Sequence, residues 1–175
     1  MHELINDLLD MEKLMAGKMR YDIREQPIWP LLEDAITHNQ PYADQYQVAL
    51  ELVGHPVEVN VAFDSQRLAQ ILANLISNAV KFSPPGSVVT LKASVDHDWL
   101  RVSVRDRGIG IKDEFKSRIF SRFSQADAGD ARQKGGTGLG LAICKELIEA
   151  MSGSIGYESQ EHLGSTFWFL SLIHI

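Results

Sequence analysis

The stretch SQRLAQILANLISNAVKF at residues 65–82 decides the fold. Its apolar residues recur at spacings of three and four, which is typical of a helix that buries one face. These residues are Leu68, Ile71, Leu72, Leu75 and Ala79. The pair Pro84-Pro85, followed by Gly86, predicts that the helix ends just after residue 82.

A polar row lies beside this apolar face. Asn74, Asn78 and Lys81 are spaced by four and three, which brings them to one side of the helix. Amide oxygens can ligate Mg²⁺, and a lysine can meet a phosphate oxygen. A solvated helix face with two ordinary asparagines is the alternative, so the row alone does not identify a site.

The elements around this helix predict a mixed α+β fold in which several strands are antiparallel neighbours. Further helices are predicted over 2–19, 31–46, 113–118 and 138–151, with Pro41 in a kink or a loop. Strands are predicted over 19–28, 48–53, 57–63, 88–95, 100–106, 154–158 and 166–172, with a hairpin at 96–98. Residues 121–136 lack periodicity, and a loop of that length in a compact domain is typically a functional lid.

The first helix carries a short heptad seam made of Leu4, Leu8, Met11 and Met15. Gly17 predicts its end. A seam of about two heptads is marginal alone, so the helix requires a partner. That partner is either another helix outside this chain or the chain's own domain, and the pattern leaves the two open.

Composition narrows the class of protein. The chain has 175 residues, 17 basic and 23 acidic, so its formal net charge is −6. With 45% hydrophobic residues it is typical of one globular domain that needs no disulfide or structural metal. The acidic balance argues against nucleic acid and against anionic membranes as partners. Cys144 is the single cysteine, which fits a reducing compartment.

No stretch approaches the roughly 18 apolar residues of a membrane span, and residues 1–13 do not match a signal peptide. We therefore expect a cytoplasmic location, and leave open whether a longer parent protein is anchored in the inner membrane. The six histidines show no metal-ligand spacing. No Gly-x-Ser-x-Gly nucleophile elbow is present.

The stretch DRGIG at residues 106–110 follows a strand whose apolar residues alternate. Asp106 continues the apolar phase, so its carboxylate is predicted to point inward. An inward carboxylate is costly without donors, and the exocyclic amine of a base would be one. Gly108 and Gly110 would leave room for a flat ring. An Asp that only caps a tight turn is the alternative.

The stretch GGTGLGL at residues 135–141 opens the last helix. Glycine-rich backbone at a helix N-terminus presents free N–H groups to an anion. It is not a Walker motif, because no Gly-Lys-Ser/Thr follows. It is not a dinucleotide fingerprint, because the predicted lid rather than a strand precedes the GxG of Gly138 and Gly140. A flexible hinge is the alternative, and both roles are compatible. The preceding IFSRF at 119–123 is predicted to place two aromatic side chains in the core, as the apolar base of the lid.

In order and spacing, NLISNAVKFS (74–83), DRGIG (106–110), IFSRF (119–123) and GGTGLGLAI (135–143) resemble the N, G1, F and G2 boxes of the catalytic, ATP-binding domain of sensor histidine kinases. GSTFWF (164–169) resembles the family's last glycine-containing box. The resemblance covers roughly residues 20–172. Residues 4–19 resemble the end of the second helix of the dimerisation and phosphotransfer domain, so the chain divides into 1–19 and a catalytic domain at 20–175.

The resemblance implies a two-layer α/β sandwich of the GHKL (Bergerat) type, with a mixed, mostly antiparallel sheet under three helices and a long ATP lid. It implies ATP and Mg²⁺ as ligands, with Asn78 as the metal ligand and Asn74 assisting. Lys81 and Arg132 would contact phosphates, and Asp106 would bind the adenine amino group. The full set of implied ATP-binding residues is Asn74, Asn78, Lys81, Phe82, Asp106, Gly108, Gly110, Ile111, Phe123, Arg132, Gly136, Thr137, Gly138, Leu139, Gly140 and Thr166.

The family transfers the γ-phosphoryl group of ATP to a histidine on the first dimerisation helix, which this chain lacks. His2 is not expected to be that histidine, because the residues after it do not match the phosphoacceptor motif. The implied partners are the dimerisation and phosphotransfer domain of the same kinase, in a homodimeric parent, and a response regulator receiver domain. The alternatives are an ATPase of the same superfamily and a non-catalytic nucleotide-binding module. The ATPases use a glutamate where this chain has Asn74, and an amide is no general base.

Overall fold

The computed structural model describes residues 2–124 and 137–173. Its elements, in chain order, are α1 (His2–Met15), β1 (Arg24–Pro27), α2 (Trp29–Gln45), β2 (Ala49–Val53), β3 (Asn60–Phe63), α3 (Ser65–Phe82), β4 (Val88–Asp96), β5 (Trp99–Arg105), α4 (Asp113–Lys116), α5 (Gly140–Ala150), β6 (Ser154–Gln160) and β7 (Gly164–Leu172).

The main sheet has five strands in the order β2-β4-β5-β7-β6. The β2–β4 pair is parallel, and the other three pairs are antiparallel. Helices α2, α3 and α5 pack on the sheet and on each other. Leu100, Val102 and Val104 alternate along β5 and are at most 1% exposed, so the core lies between these two layers. The expected sandwich, with a mostly antiparallel sheet under three helices, is confirmed.

Helix α3 matches its predicted bounds because strong local signals agree. The Asp64 carboxylate caps its first turn, where Oδ1 accepts hydrogen bonds from the backbone N–H groups of Gln66 at 2.9 Å and Arg67 at 3.0 Å. Every predicted apolar residue of the stripe is buried, and Ile76 and Val80 are buried with them. The helix ends at Phe82, one residue before the Ser83-Pro84 junction.

Several element predictions are wrong in extent. The strand expected over 19–28 covers only Arg24–Pro27, and the one expected over 57–63 covers only Asn60–Phe63. These two strands pair with each other in a separate two-stranded sheet, so each is limited by the length of its partner. Pro41, expected in a kink or a loop, lies inside α2, which excludes the loop. The buried residues of α2 explain its continuity, because their packing offsets the backbone hydrogen bond that a proline removes.

The first helix ends at Met15 rather than at residue 19. Gly17 has φ +66°, and Lys18 N–H donates to the carbonyl of Lys13 at 2.8 Å, which is a glycine-type helix C-cap. Of the predicted seam only Met11 is buried, and Leu4, Leu8 and Met15 stay at least 41% exposed. Helix α1 contacts α5, so the chain's own domain covers part of the seam and leaves the rest uncovered.

The final residues join the two sheets. Ile173 forms an isolated antiparallel bridge with Val61 of β3, and its N–H donates to the carbonyl of Asp98 at 2.7 Å. Within the described residues, no helix is both long and apolar enough to cross a membrane.

Cys144 lies on the buried face of α5 and is 0% exposed. Burial raises the pKa of its thiol to about 12, so almost none of it is the reactive thiolate at neutral pH. We expect a thiol-specific reagent to label the native chain at less than about one hundredth of the rate for the chain unfolded in denaturant, because labelling requires opening of the core. Equal rates in the two states would contradict this placement of α5.

Candidate functional site

One cleft brings together most of the residues that the sequence assigned to ligand binding. It lies between α3, the loop after β5 and the start of α5. The predicted residues that line it are Asn74, Asn78, Lys81, Phe82, Asp106, Gly110, Ile111, Thr137, Gly138 and Gly140. Gly108, Phe123, Leu139 and Thr166 do not line it. Arg132 and Gly136 lie outside the described residues.

The polar row of α3 faces this cleft. Asn74 Nδ2 lies 3.5 Å from the carbonyl oxygen of Gly140, a long contact that ties α3 to the first turn of α5. Within the described residues, the Asn78 side chain has no hydrogen bond and Lys81 has no ion pair, although both line the cleft. The side chains of Asn78 and Lys81 are therefore available to a ligand. The row therefore lines a cleft rather than a freely solvated helix face.

Asp106 points inward, as its phase in β5 predicts, and is 5% exposed. Its Oδ1 accepts hydrogen bonds from the backbone N–H of Gly108 at 2.9 Å and of Ser165 at 3.3 Å. Burial raises the pKa of this carboxyl above its usual value, and the two hydrogen bonds offset part of that rise. Oδ2 accepts no hydrogen bond from the described residues. The carboxylate is thus held by one oxygen and leaves the other for a donor in the cleft.

Gly108 and Gly110 are required for packing within the protein, and not mainly to leave room for a flat ring as expected. A Cβ at Gly108 would collide with the carbonyl oxygen of Phe82, and a Cβ at Gly110 would collide with that of Gln160. Gly110 also has φ +72°. The missing side chains therefore allow close approach of the protein's own backbone, and only Gly110 also borders the cleft.

The described part of the glycine-rich stretch, residues 137–141, contributes to the cleft wall at the start of α5. The helix begins at Gly140 rather than at residue 138, because Gly138 has φ +73° and cannot be part of a right-handed helix. The Thr137 hydroxyl accepts from the N–H of Leu139 at 3.2 Å and donates to Asp7 Oδ2 at 2.7 Å. The Leu139 side chain is fully buried, so only its backbone could serve a ligand.

The aromatic pair of the 119–123 stretch divides between core and surface. Phe120 packs edge-on against Tyr157 and Phe167, with ring centroids 5.9 and 6.3 Å apart. Phe123 is 62% exposed, so the prediction that both rings lie in the core is wrong for Phe123. Its backbone has φ +56° and lies against Gly138.

Thr166 was expected at the binding site, but its neighbours on β7 line the cleft instead. Ser165 and Phe167 are buried and line the cleft, whereas Thr166 alternates with them and points to the other face of the sheet. Ser165 also holds Asp106 through its N–H. Phe167 and Phe169 share one burial phase with Ser165, but the sequence does not show this phase, because residues 167–170 are apolar in succession.

Other cleft residues were not predicted. They are Glu3, Asp7, Ser77, Ile109, Phe115, Ile119, Ser124, Leu141, Ser165 and Phe167. Ser77 lies three residues after Asn74, so the helical spacing could have found it. Glu3 and Asp7 come from α1, and no local signal in the sequence predicts that this helix borders the cleft.

The cleft therefore combines a buried carboxylate acceptor with two carboxamides and an ammonium group. The acceptor suits an amine on a flat ring, and the apolar lining from Ile111 and Phe167 suits the ring itself. Asn78 and Lys81 suit an anionic group and the cation that accompanies it.

Residues 63–173 match the family described as histidine kinase-, DNA gyrase B- and HSP90-like ATPases. The chain is 43% identical over 170 residues to the sensor protein GacS of Pseudomonas syringae pv. syringae, covering 94% of this chain and 19% of that protein. It is 40% identical over 171 residues to the signal transduction histidine-protein kinase BarA of Escherichia coli (strain K12), covering 95% of this chain and 19% of that protein. The chain thus spans about a fifth of the length of these relatives.

Among solved structures, the chain is similar to full-length ShkA in complex with AMPPNP, with a TM-score of 0.85 and 32% sequence identity. The match covers 98% of this chain and 35% of that one. Because it includes nearly the whole chain, it extends to α1 as well as to the two-layer sandwich.

Proposed function

The chain belongs to the family of histidine kinase-, DNA gyrase B- and HSP90-like ATPases, as the ATP-binding catalytic part of a two-component histidine kinase. On this premise we propose that it binds ATP with Mg²⁺ and donates the γ-phosphoryl group to a histidine on another domain. The proposal rests on how the Asp106 carboxylate is hydrogen-bonded. Its carboxylate is anchored by two backbone N–H groups through Oδ1 and keeps Oδ2 for a donor in the cleft.

We assign the adenine amino group to Asp106 and the purine ring to the lining that includes Phe82, Ile111 and Phe167. Lys81 neutralises phosphate charge. Because phosphoryl transfer needs mainly positioning and charge neutralisation, these residues supply what the reaction demands of the protein. Arg132 and the Gly136 backbone are proposed as further phosphate contacts, although both lie outside the described residues.

The donor set fits Mg²⁺. The Asn78 carboxamide lines the cleft without a hydrogen bond to the described residues, and amide oxygen is a hard ligand of the kind that Mg²⁺ accepts. Asn74 lies one turn earlier and would assist, since its Nδ2 contact to Gly140 leaves its oxygen available. When bound, the ion would neutralise charge on the phosphates.

Asn74 also favours transfer to a protein over hydrolysis. An amide cannot take a proton from water at neutral pH, so the described cleft wall offers no general base on this turn of α3. We propose that residues 1–19 belong to the dimerisation and phosphotransfer domain and residues 20–175 to the catalytic domain. The proposed partners are that domain in a homodimeric parent and a receiver domain downstream.

The test joins this chain to a first dimerisation helix that carries a phosphoacceptor histidine. With γ-labelled ATP and Mg²⁺, we expect phosphate that is labile to acid, which is the behaviour of phosphohistidine. The chain without that helix should bind ATP and remain unlabelled. ATP binding by the fusion protein with no histidine labelled would refute phosphotransfer, and rapid ATP hydrolysis by the chain alone would favour the ATPase alternative.

A further inference from the structure

Helix α1 reaches the nucleotide cleft through two acidic residues. Glu3 and Asp7, one turn apart, line the same cavity as Asn78 and Lys81. Asp7 Oδ2 accepts a hydrogen bond from the Thr137 hydroxyl at 2.7 Å. Thr137 in turn accepts from the N–H of Leu139, so α1 is tied directly to the backbone just before α5.

A second contact holds the helix in this position. Asp10 Oδ2 accepts a hydrogen bond from Gln70 Nε2 of α3 at 2.8 Å, and Met11 is 6% exposed against the domain. Asp10 and Met11 do not line the nucleotide cleft. The position of α1 is therefore set outside the cleft, while Asp7 enters it.

Negative charge is in excess around Asp7 among the described residues. Burial raises the pKa of its carboxyl, the Thr137 hydrogen bond lowers it, and the carboxylates of Glu3 and Asp10 raise it further. Among the described residues, the charge of Lys81 acts against this rise, and it is the smallest of these effects. Lys81 is also the residue that the proposed function assigns to phosphate, so the phosphates would lie in the same cavity as the Asp7 carboxylate.

We infer that helix α1, in the position seen here, is an inhibitory element in which Asp7 lowers the affinity of the cleft for the phosphates of ATP. The inference rests on the proposed function, because it requires the phosphates to lie beside Lys81 and Thr137. Binding of ATP then either places its phosphates close to the Asp7 carboxylate, which carries the same sign of charge, or moves α1 away. The device links the position of α1 to nucleotide affinity.

The test uses Asp7→Asn, which removes the charge and keeps an acceptor for the Thr137 hydroxyl. Glu12→Gln is the matched control, since Glu12 lies on the same helix, is exposed and is not part of the cleft. By calorimetric titration of Mg·ATP into the 175-residue chain, we expect Asp7→Asn to lower Kd about fivefold and Glu12→Gln to change it less than about twofold. The gain should shrink at high ionic strength.

Adenosine has the ring without the phosphates. It therefore distinguishes a charge effect on the phosphates from easier access of any ligand to the cleft. We expect its Kd to be unchanged in Asp7→Asn. An unchanged or weaker affinity of Asp7→Asn for Mg·ATP would overturn the inference, as would an equal gain for adenosine. If neither the wild-type chain nor the variant bound ATP, the proposed function would fail, and the inference with it. Equal binding by both would remove the inference alone.

Discussion

Replacing Asp106 with asparagine is expected to weaken ATP binding about a hundredfold. The two backbone N–H groups of Gly108 and Ser165 fix which atom faces them, because they require an acceptor. The asparagine oxygen must take that place, which turns its NH₂ group into the cleft. A donor then faces the amino group of adenine, so the variant loses a charge-assisted hydrogen bond and gains an unfavourable contact.

The fold should tolerate this change. Burial raises the pKa of Asp106, which means that the charged carboxylate is less stable in the folded chain than in the unfolded chain near neutral pH. A neutral amide that keeps both backbone hydrogen bonds removes this cost. We expect the free energy of unfolding of Asp106→Asn to be unchanged or higher, measured by chemical denaturation beside the calorimetric titration.

Asp64→Asn is the matched control. Asp64 is 7% exposed and its carboxylate accepts three backbone hydrogen bonds, but it lies at the start of α3 and outside the cleft. An NH₂ group would replace one of its oxygens and face the N–H of Asp22, donor against donor. This variant should therefore lose stability and keep its ATP affinity. If Asp106→Asn bound ATP as tightly as Asp64→Asn does, the assignment of adenine to Asp106 would be wrong.

The sequence predicted those parts of the site that depend on periodicity within one element. The phase of β5 placed Asp106 inward, and the spacing of three and four placed Asn78 and Lys81 together on α3. Both predictions succeeded because a strand or helix fixes the direction of each side chain once its apolar face is known. The mixed α+β class followed in the same way from periodicity, whereas the two-layer sandwich was implied by the resemblance to histidine kinases.

Contacts between distant segments could not be predicted this way. Asp7 reaches Thr137 across 130 positions of sequence, and nothing near either residue indicates that contact. The prediction for Phe123 fails for a related reason, since its backbone lies against Gly138, 15 positions later, and has a positive φ that a phenylalanine rarely adopts. The prediction for Thr166 fails for another reason, because residues 167–170 are apolar in succession and do not show which face of β7 is buried.

Replacing Gly110 with alanine is expected to destabilise the fold by roughly 3 kcal/mol or more and to reduce ATP binding with it. Two separate costs act at this position. The backbone has φ +72°, which a residue with a Cβ adopts at a cost, and the new Cβ would collide with the carbonyl oxygen of Gln160. Because backbone on both sides must shift, the loop that carries Ile111 into the cleft moves as well.

Gly86→Ala isolates the first of these costs. Gly86 has φ +86°, and a Cβ there would meet nothing within 4 Å. It should lose only the conformational part, about 1 kcal/mol, with ATP affinity unchanged. The difference between the free energies of unfolding of the two variants, measured with denaturant, therefore gives the cost of the collision between residue 110 and the Gln160 carbonyl. Equal losses of stability in the two variants would show that the segment after Asp106 is not packed against the β6–β7 turn.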